Sequence, residues 1–185
     1  DWKRTHRELH RSGISPHISI EDRVFVECIN GDLTIKVEDN TDAGEGIYSE
    51  PVDYRDQTLD DAEIFYAICG NLILLKIRPF QEKNFRYFIF NDKIKSVERV
   101  DGIAQAAVLL PEDQGIIFSN GYYLQTGLIK QFESERTDMM FERVMTSSNG
   151  EDYLYVFYNR VEGDYVLMSY NLIRQEVANP IWCHG

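Results

Sequence analysis

The sequence predicts an all-β fold of antiparallel four-stranded meander units, arranged like the blades of a β-propeller and preceded by a short N-terminal helix. Three observations support this prediction. Turn dipeptides such as Asn-Gly separate short runs rich in β-branched and aromatic residues. These runs recur in groups of four. The 185-residue chain is 43% hydrophobic and 12% aromatic, which is the composition of a folded globular protein.

The N-terminal segment differs from the rest of the chain. Residues 1–12, DWKRTHRELHRS, have a helix-forming composition and include four basic residues. Gly13 and Pro16 would end a helix there, because glycine and proline both disfavour helix interiors. We therefore predict a basic helix or arm over residues 1–17, followed by the β-propeller-like domain over residues 18–185.

Hairpin signals begin after Ile18. Asn-Gly occurs three times between strand-like runs, in FVECI-NG-DLTIKV, GIIFS-NG-YYLQT and RVMTSS-NG-EDYLYVFY. This dipeptide favours a type I′ turn, in which both central residues have positive φ. Gly70-Asn71 and Asn91-Asp92 lie in similar positions between other runs. Five hairpin signals in a short chain indicate an antiparallel meander.

The meander repeats along the chain. The related pieces IKSV, IKQF and IRQEV begin at residues 94, 129 and 173, which are 35 and 44 residues apart. Each repeat divides into four predicted strands: EIFYAIC, LILLKIR, FRYFIF and IKSVERV; IAQAAVLL, GIIFS, YYLQ and LIKQFE; MMFERVMT, DYLYVFYN, DYVLMSY and IRQEVANPI. VFVECI, DLTIKVED and GIYSEPV supply part of an earlier repeat. Four strands in a period of about 40 residues are typical of propeller blades, which predicts three to four blades.

Two other architectures fit the same pattern. A β-sandwich or an irregular meander also gives short strands with alternating hydrophobicity. Three or four blades close only as a small ring, so the chain is also compatible with a piece of a larger propeller. The start at Asp1 and the end at ANPIWCHG favour a fragment of a longer protein.

The net charge of −12 and the pI near 4.7 limit the partners. A phosphate backbone would be repelled by this field, so we expect no direct nucleic-acid binding by this segment. The three cysteines are widely spaced and form no CxxC pair, which favours a reducing, cytoplasmic setting. No apolar run approaches the roughly 18 residues of a membrane span, and no signal-peptide pattern is present. We therefore predict no membrane association.

The stretch EDNTDAGEGIYSE raises the hypothesis of a calcium loop. Asp39 would be position 1 of the loop, Gly44 position 6 and Glu50 the bidentate ligand at position 12. Thr41 and Ala43 occupy positions 3 and 5, where Asp or Asn is expected. The preceding run DLTIKVE also predicts a strand instead of a helix. The pattern therefore disfavours a helix-flanked calcium hand.

The wider segment 38–63 is strongly acidic, with ten acidic residues against the single base Arg55. Such a segment fits a surface that docks a basic partner, including the basic N-terminal segment, or a site for a divalent cation. Its plainer interpretation is a solvated connection. We predict an acidic interaction face formed by Glu38, Asp39, Asp42, Glu45, Glu50, Asp60 and Asp61.

No other motif indicates a chemistry. His6 and His10 in HRELH lie one helical turn apart, but a zinc protease needs the glutamate directly after the first histidine. Cys183-His184 lacks the CxxC of a haem-attachment motif. GxSxG and GxxxxGK[ST] are absent, and no two carboxylates stand out as a glycosidase pair. We therefore predict no catalytic residues, no cofactor and no metal.

Several segments resemble a region of unknown function in long bacterial proteins described as DNA repair ATPases. The first are GDLTIKVEDNTDAGEGIYSEPVD and QTLDDAEIFYAICGNLILLKIRPFQEKNFRYFIFND; further along come LPEDQGIIFSNGYYLQTG, SSNGEDYLYVFYNR and YNLIRQEVANPIWCHG. The similarity extends from about Ile18 to the C-terminus. The resemblance implies a large cytoplasmic protein whose AAA-type nucleotide-binding machinery lies outside this segment. It assigns no catalytic residue, because the family's Walker motifs have no counterpart here.

We therefore predict a non-catalytic scaffold or protein-interaction domain of a large bacterial DNA-repair-type ATPase. Its partners would be other domains of the parent ATPase or a separate protein. The alternative is a metal- or ligand-binding β-domain that uses the acidic 38–63 loop. A glycosidase-type enzyme is a more distant alternative.

Overall fold

The computed structural model describes residues 2–5, 18–29, 31–37, 47–52, 62–79, 82–100, 107–133 and 139–185. The described residues form antiparallel β-sheets, which confirms the predicted fold class. The chain divides into two compact parts, an N-terminal lobe (Asp1–Asp101) and a C-terminal lobe (Gly102–Gly185). No helix in the described part of the chain is long and apolar enough to cross a membrane.

The N-terminal lobe contains two sheets. Its strands are β1 (Lys3–Arg4), β2 (Ile18–Ile20), β3 (Val24–Ile29), β4 (Asp32–Lys36), β5 (Tyr48–Pro51), β6 (Glu63–Cys69), β7 (Leu72–Arg78), β8 (Arg86–Asn91) and β9 (Ser96–Arg99). Sheet 1 has the order β2-β3-β4-β5, and sheet 2 has the order β1-β6-β7-β8-β9. Strands β6 to β9 coincide with the first complete predicted repeat, and β3 to β5 with the earlier, partial one. The predicted hairpin order is therefore confirmed in this lobe.

The C-terminal lobe also contains two sheets. Its strands are β10 (Val108–Leu109), β11 (Gly115–Phe118), β12 (Gly121–Leu124), β13 (Ile129–Gln131), β14 (Met140–Thr146), β15 (Asp152–Asn159), β16 (Asp164–Asn171), β17 (Glu176–Val177) and β18 (Ile181–Cys183). Sheet 3 has the order β10-β11-β12-β13. Sheet 4 has the order β14-β15-β16-β17, and β18 also pairs with β16. Among the described strands no sheet closes on itself, so the propeller stays a prediction.

The predicted N-terminal helix is wrong where the structure describes this segment. Lys3–Arg4 form β1, which pairs with β6 at the edge of sheet 2. Thr5 extends this contact, since its N–H donates to the carbonyl oxygen of Ile64 at 3.1 Å. An edge strand carries unpaired N–H and C=O groups, and pairing with them outweighs a helix-forming composition, which is a weak preference. Residues 6–17, the rest of the predicted helix, lie outside the described residues.

Local polar contacts and one close backbone approach shape the hairpins. The Asn91 side-chain oxygen accepts a hydrogen bond from the N–H of Lys93 at 3.1 Å, and Asn159 does the same with Val161 at 2.9 Å. These Asx turns replace backbone pairing where the strand ends. At Gly121 a Cβ atom would lie 2.3 Å from the carbonyl oxygen of Lys130. Only glycine allows β12 and β13 to approach this closely.

Each lobe has its own hydrophobic core between its two sheets. In the N-terminal lobe Ile73, Leu75 and Ile77 point from β7 into this core, as the two-residue period of a strand requires. The Tyr48 and Phe88 rings meet edge to face there, with centroids 5.3 Å apart. The core of the C-terminal lobe is more aromatic. Its fully or almost fully buried side chains include Ile117, Tyr155, Phe157, Val166, Met168 and Tyr170.

The central strands of sheets 2 and 3 carry buried side chains on both faces. In sheet 2 the side chains of Leu72, Leu74 and Ile89 point away from the lobe's core and are still at most 2% exposed. In sheet 3 every residue of β11 and β12 is buried. This explains why LILL and GIIF are continuous apolar runs, because only a strand that faces water on one side alternates between apolar and polar residues.

The core contact of Phe88 leads to a stability prediction. Phe88→Ala should lower the free energy of unfolding by about 3–5 kcal/mol, because it removes a fully buried ring and leaves a cavity. Ile94→Ala serves as the control, since Ile94 is 46% exposed, and should change stability by less than about 0.5 kcal/mol. Urea unfolding curves give both values. Equal effects of the two substitutions would contradict this description of the core.

Candidate functional site

Charged side chains of the N-terminal lobe gather where β5 of sheet 1 meets β8 and β9 of sheet 2. We define the ionic cluster as Tyr48, Glu50, Glu82, Arg86 and Arg99. Strand alternation explains its position. Tyr48 and Glu50 lie two residues apart on β5 and share a face, and Arg86 lies two residues before the core residue Phe88 on β8. The cluster thus occupies the end of the same sheet faces that form the core.

Glu50 lies at the centre of the cluster. One carboxylate oxygen, Oε1, accepts a hydrogen bond from Arg86 Nη1 at 2.6 Å. The other, Oε2, accepts from Arg99 Nη1 at 2.7 Å and from the Tyr48 hydroxyl at 2.8 Å. The side chain is 9% exposed. Both oxygens of this buried carboxylate are therefore satisfied, which offsets the cost of removing the charge from water.

Arg86 connects Glu50 to a second carboxylate. Its Nε donates to Glu82 Oε2 at 3.0 Å, and its Nη2 contacts Glu82 Oε1. Its Nη1 donates to the carbonyl oxygen of Pro51 at 3.1 Å as well as to Glu50. The planar guanidinium group is suited to this two-sided arrangement, because its donors form a fixed fork. All three nitrogens of Arg86 are engaged.

The cluster sets the protonation of its members. Burial alone would raise the pKa of Glu50, but hydrogen bonds from Arg86, Tyr48 and Arg99 outweigh it and hold this pKa below its usual value. Burial raises the pKa of Tyr48 to about 12, and the hydrogen bond to Glu50 adds to the shift. At neutral pH Glu50 is thus an ionised acceptor and Tyr48 a neutral donor.

An open pocket of about 510 Å³ borders the cluster and is lined by Glu50, Pro51, Glu82, Asn84, Phe85, Arg86 and Arg99. The two carboxylates and the two guanidinium groups of this lining balance in charge. General acid catalysis at neutral pH favours a carboxyl group with a raised pKa, whereas the pKa of Glu50 is lowered. The geometry is that of a clamp that holds β5 of sheet 1 against β8 and β9 of sheet 2.

Of the seven residues predicted to form the acidic interaction face, the structure describes only Glu50. Glu50 is buried, and its carboxylate is engaged by Arg86 and Arg99. The other six, Glu38, Asp39, Asp42, Glu45, Asp60 and Asp61, lie outside the described residues. The acidic face therefore stays a prediction.

Sequence reasoning missed the arginine partners of Glu50. Arg86 and Arg99 lie 36 and 49 residues further along the chain. One signal was available: Arg86 occupies a position that alternates with Phe88 and Phe90 and so falls on the core-facing side of β8. A charge in such a register position indicates a buried ion pair, because burying it alone is costly.

The described residues do not test the hypothesis of a metal site in the acidic segment. Among them, no group of three or more His, Cys, Asp or Glu side chains is placed to hold a metal ion. Residues 38–46 and 53–61, which carry most of the acidic segment, lie outside this part of the chain. The alternative of a metal- or ligand-binding domain therefore stays a prediction.

A second candidate surface lies on the C-terminal lobe. In sheet 4, Tyr155, Phe157, Val166 and Met168 point into the core, so their neighbours along β15 and β16 point to the opposite side. We define the outer face of sheet 4 by the apolar side chains on this side, which are Met140, Met145, Leu154, Val156, Tyr158, Tyr165, Leu167 and Ile181. The charged Arg143 lies on the same side, paired with Val156.

The outer face of sheet 4 is partly open to solvent. Met145 is 44% exposed and Ile181 is 60% exposed, at the two sides of the sheet. Between them the rings of Tyr158 and Tyr165 stack with centroids 4.5 Å apart. Arg143, on the edge strand β14, lies next to a β-bulge between Phe141 and Arg143 and is paired with Val156.

In the described part of the chain the fold is all-β, with an ionic cluster in the N-terminal lobe and a partly exposed apolar sheet face in the C-terminal lobe. A family model described as "ATPase involved in DNA repair" matches residues 1–185. The chain belongs to this family, which confirms the resemblance seen in its sequence. A search of curated proteins found no match to the chain.

The geometry of the ionic cluster leads to a stability prediction. Glu50→Gln should lower the free energy of unfolding by about 2–3 kcal/mol, because it leaves Arg86 without its charged acceptor in a buried position. Glu63→Gln is the matched control. The contact of Glu63 with Arg78 is 33–38% exposed and should contribute less than about 1 kcal/mol. Chemical unfolding of the three proteins measures the difference, and equal losses would contradict a clamp at Glu50.

The lowered pKa of Glu50 leads to a prediction about pH. A carboxyl group whose pKa is lower in the folded state stabilises the fold above its unfolded pKa of about 4.3, and this contribution is lost as pH falls through the folded value. The stability difference between the unmodified protein and Glu50→Gln should therefore be constant above about pH 5.5 and shrink on acidification. Unfolding curves across this range measure it. A difference independent of pH down to the acid transition would contradict the assignment.

Proposed function

We propose that this chain is a non-catalytic protein-interaction domain of its ATPase family, and that the outer face of sheet 4 is its contact surface. The observation that carries the proposal is the exposure of large apolar side chains along the two sides of this sheet face. A folded domain normally covers such a face, and an exposed apolar patch is typical of protein interaction sites. Ile181, Met140 and Met145, at the sides of this face, are 60%, 46% and 44% exposed, whereas Val156 at its centre is 4% exposed.

The chemistry of the ionic cluster supports a role without catalysis. The Glu50 carboxylate accepts hydrogen bonds from Arg86, Tyr48 and Arg99. Arg86 also donates to Glu82. Groups engaged in this way hold sheets together and are not available to a substrate. The sequence also has no GxxxxGK[ST] motif, so ATP hydrolysis by the family would use residues outside this segment.

The charge of the chain supports a protein partner over DNA. With a net charge of −12, the domain repels a phosphate backbone. We propose that it contacts the ATPase part of its parent protein, or a separate protein of the same cytoplasmic assembly. The finer architecture belongs to the same proposal. Each lobe contains two antiparallel meander sheets, and each sheet would correspond to one propeller-like blade.

A pull-down tests this function. With the chain as bait in lysate of a bacterium that carries the family, we expect one reproducible partner, retained at moderate salt because the contact is apolar. Met145→Lys should reduce the recovery at least about tenfold, since it places a charge in an apolar contact. Val161→Lys is the control, because Val161 is 90% exposed in the turn between β15 and β16.

Three outcomes count against the proposal. The first is recovery that Met145→Lys leaves unchanged. The second is recovery lost at moderate salt and with Asp60→Lys/Asp61→Lys, which would place the contact on the acidic face instead. The third is hydrolysis of ATP by the chain alone above background, which would contradict a non-catalytic role.

A further inference from the structure

We propose that Asn149 is a self-modification site, at which the backbone nitrogen of Gly150 converts the side-chain amide into a carboxylate. The products are aspartate and isoaspartate, and no enzyme takes part. Asn149 and Gly150 lie in the turn between β14 and β15. The reaction does not depend on the contact surface proposed above, because it needs only the purified chain and water.

The reaction balances with water as its co-reactant. The Gly150 nitrogen loses its proton to solvent and attacks Asn149 Cγ, which forms a C–N bond and closes a succinimide ring. The Cγ–Nδ2 bond breaks, and Nδ2 takes up a proton and leaves as ammonia. Water then adds to either ring carbonyl and opens the ring to aspartate or isoaspartate. No group is oxidised or reduced.

The turn holds the Asn149 amide by both of its polar atoms. Oδ1 accepts hydrogen bonds from the Ser147 hydroxyl and from the N–H of Glu151, the latter at 3.2 Å. Nδ2 donates to Glu151 Oε2 at 3.2 Å. The bond from the Glu151 N–H folds the side chain over Gly150, because the ring that it closes contains both Asn149 Cγ and the Gly150 nitrogen. The two reacting atoms therefore belong to one closed turn.

The two donors on Oδ1 favour the attack. When the Gly150 nitrogen adds to Cγ of Asn149, negative charge develops on Oδ1. Hydrogen bonds that already point at this oxygen stabilise the developing charge, as in an oxyanion hole. The Ser147 hydroxyl is itself held in place, since its oxygen accepts from the N–H of Asp152 at 2.9 Å. The donor is thus oriented before the reaction begins.

Gly150 leaves the space that the attack requires. A Cβ atom on Gly150, whose φ is +72°, would meet no described atom within 4 Å. Asn149 is exposed, so water reaches the ring once it has formed. The Gly150 N–H donates to the carbonyl oxygen of Ser147 at 2.9 Å. Opening of this turn bond is the conformational step that precedes the attack.

The pair Asn120-Gly121, in the turn between β11 and β12, has the same sequence in the opposite environment. Asn120 is 9% exposed, and no hydrogen-bond donor in the described part of the chain contacts its Oδ1. A Cβ atom on Gly121 would lie 2.3 Å from the carbonyl oxygen of Lys130 and 2.8 Å from Phe118 Cε2. A side chain that folds over Gly121 meets these atoms. The exposed pair should therefore react while the buried pair persists.

Peptide mapping by mass spectrometry, after incubation of the purified chain at mildly alkaline pH, tests the proposal. In the folded protein we expect Asn149 to deamidate at least about tenfold faster than Asn120, whose reaction requires local opening of a buried turn. In urea, where both turns are unfolded, the two rates should become similar. Asn30, in the third Asn-Gly pair, lies outside the described residues, and its peptide is mapped separately.

Two substitutions test the geometry of the turn. Ser147→Ala removes one donor to Oδ1 and should slow the reaction of Asn149 about three- to tenfold in the folded protein, with no effect in urea. Ser148→Ala, at the exposed neighbouring position, is the matched control and should leave the rate unchanged. Circular dichroism verifies that both variants keep the β fold.

The outcomes that overturn the proposal are specific. Similar rates at Asn149 and Asn120 in the folded protein overturn it, as does an unreacted Asn149 over a period in which the chain in urea reacts. If Ser147→Ala accelerates the reaction, the hydrogen bonds of the turn protect the amide instead, which overturns the proposed arrangement. Equal effects of Ser147→Ala and Ser148→Ala overturn the role of the Ser147 hydroxyl.

Discussion

The carboxylate of Glu50 is the contact on which the arrangement of the N-terminal lobe depends. It projects from the edge strand of sheet 1 and accepts hydrogen bonds from arginines on two strands of sheet 2. A hydrophobic core alone allows two sheets to slide, because apolar contact has little direction. A buried ion pair is directional and costly to break. The cluster therefore fixes which end of sheet 1 meets which end of sheet 2.

Hairpins could be predicted from the sequence because their determinants are local. Asn-Gly, Gly-Asn and Asn-Asp pairs mark the positions of turns, and alternation within a few residues marks the strands. The predicted type I′ geometry is wrong at both described Asn-Gly pairs, because neither Asn120 nor Asn149 has a positive φ. The strands of the first complete repeat were therefore found, and most of those of the other two. The last predicted strand, IRQEVANPI, is instead split into β17 and β18, which both pair with β16. Residues 103–106 of the predicted strand IAQAAVLL lie outside the described residues. The N-terminal strand could not be found in this way. Residues 3–4 become a strand because the edge of β6 is open beside them, which depends on tertiary structure. The partners of Glu50 were missed for the same reason, since dozens of residues separate them.

The proposed function assigns the interactions of this chain to its surfaces. The buried polar groups of the ionic cluster form hydrogen bonds with one another. Other molecules would therefore contact the exposed surface of the domain. Two properties of the chain bear on such contacts: its net charge of −12 and the apolar face of sheet 4. Net charge affects the association rate and favours partners of opposite charge, whereas the buried apolar area mainly affects the dissociation rate.

The β-bulge in β14 has a consequence for how sheet 4 can grow. β14 is the first strand of sheet 4 and is largely exposed, and a regular edge strand of this length would recruit strands from other molecules and seed fibrils. The register shift between Phe141 and Arg143 interrupts its row of hydrogen-bonding groups, and Glu142 and Arg143 add charges at the same point. Addition of a further strand at β14 is thus disfavoured. The bulge and its charges therefore act against fibril formation through this edge, independently of any contact that the outer face of sheet 4 makes.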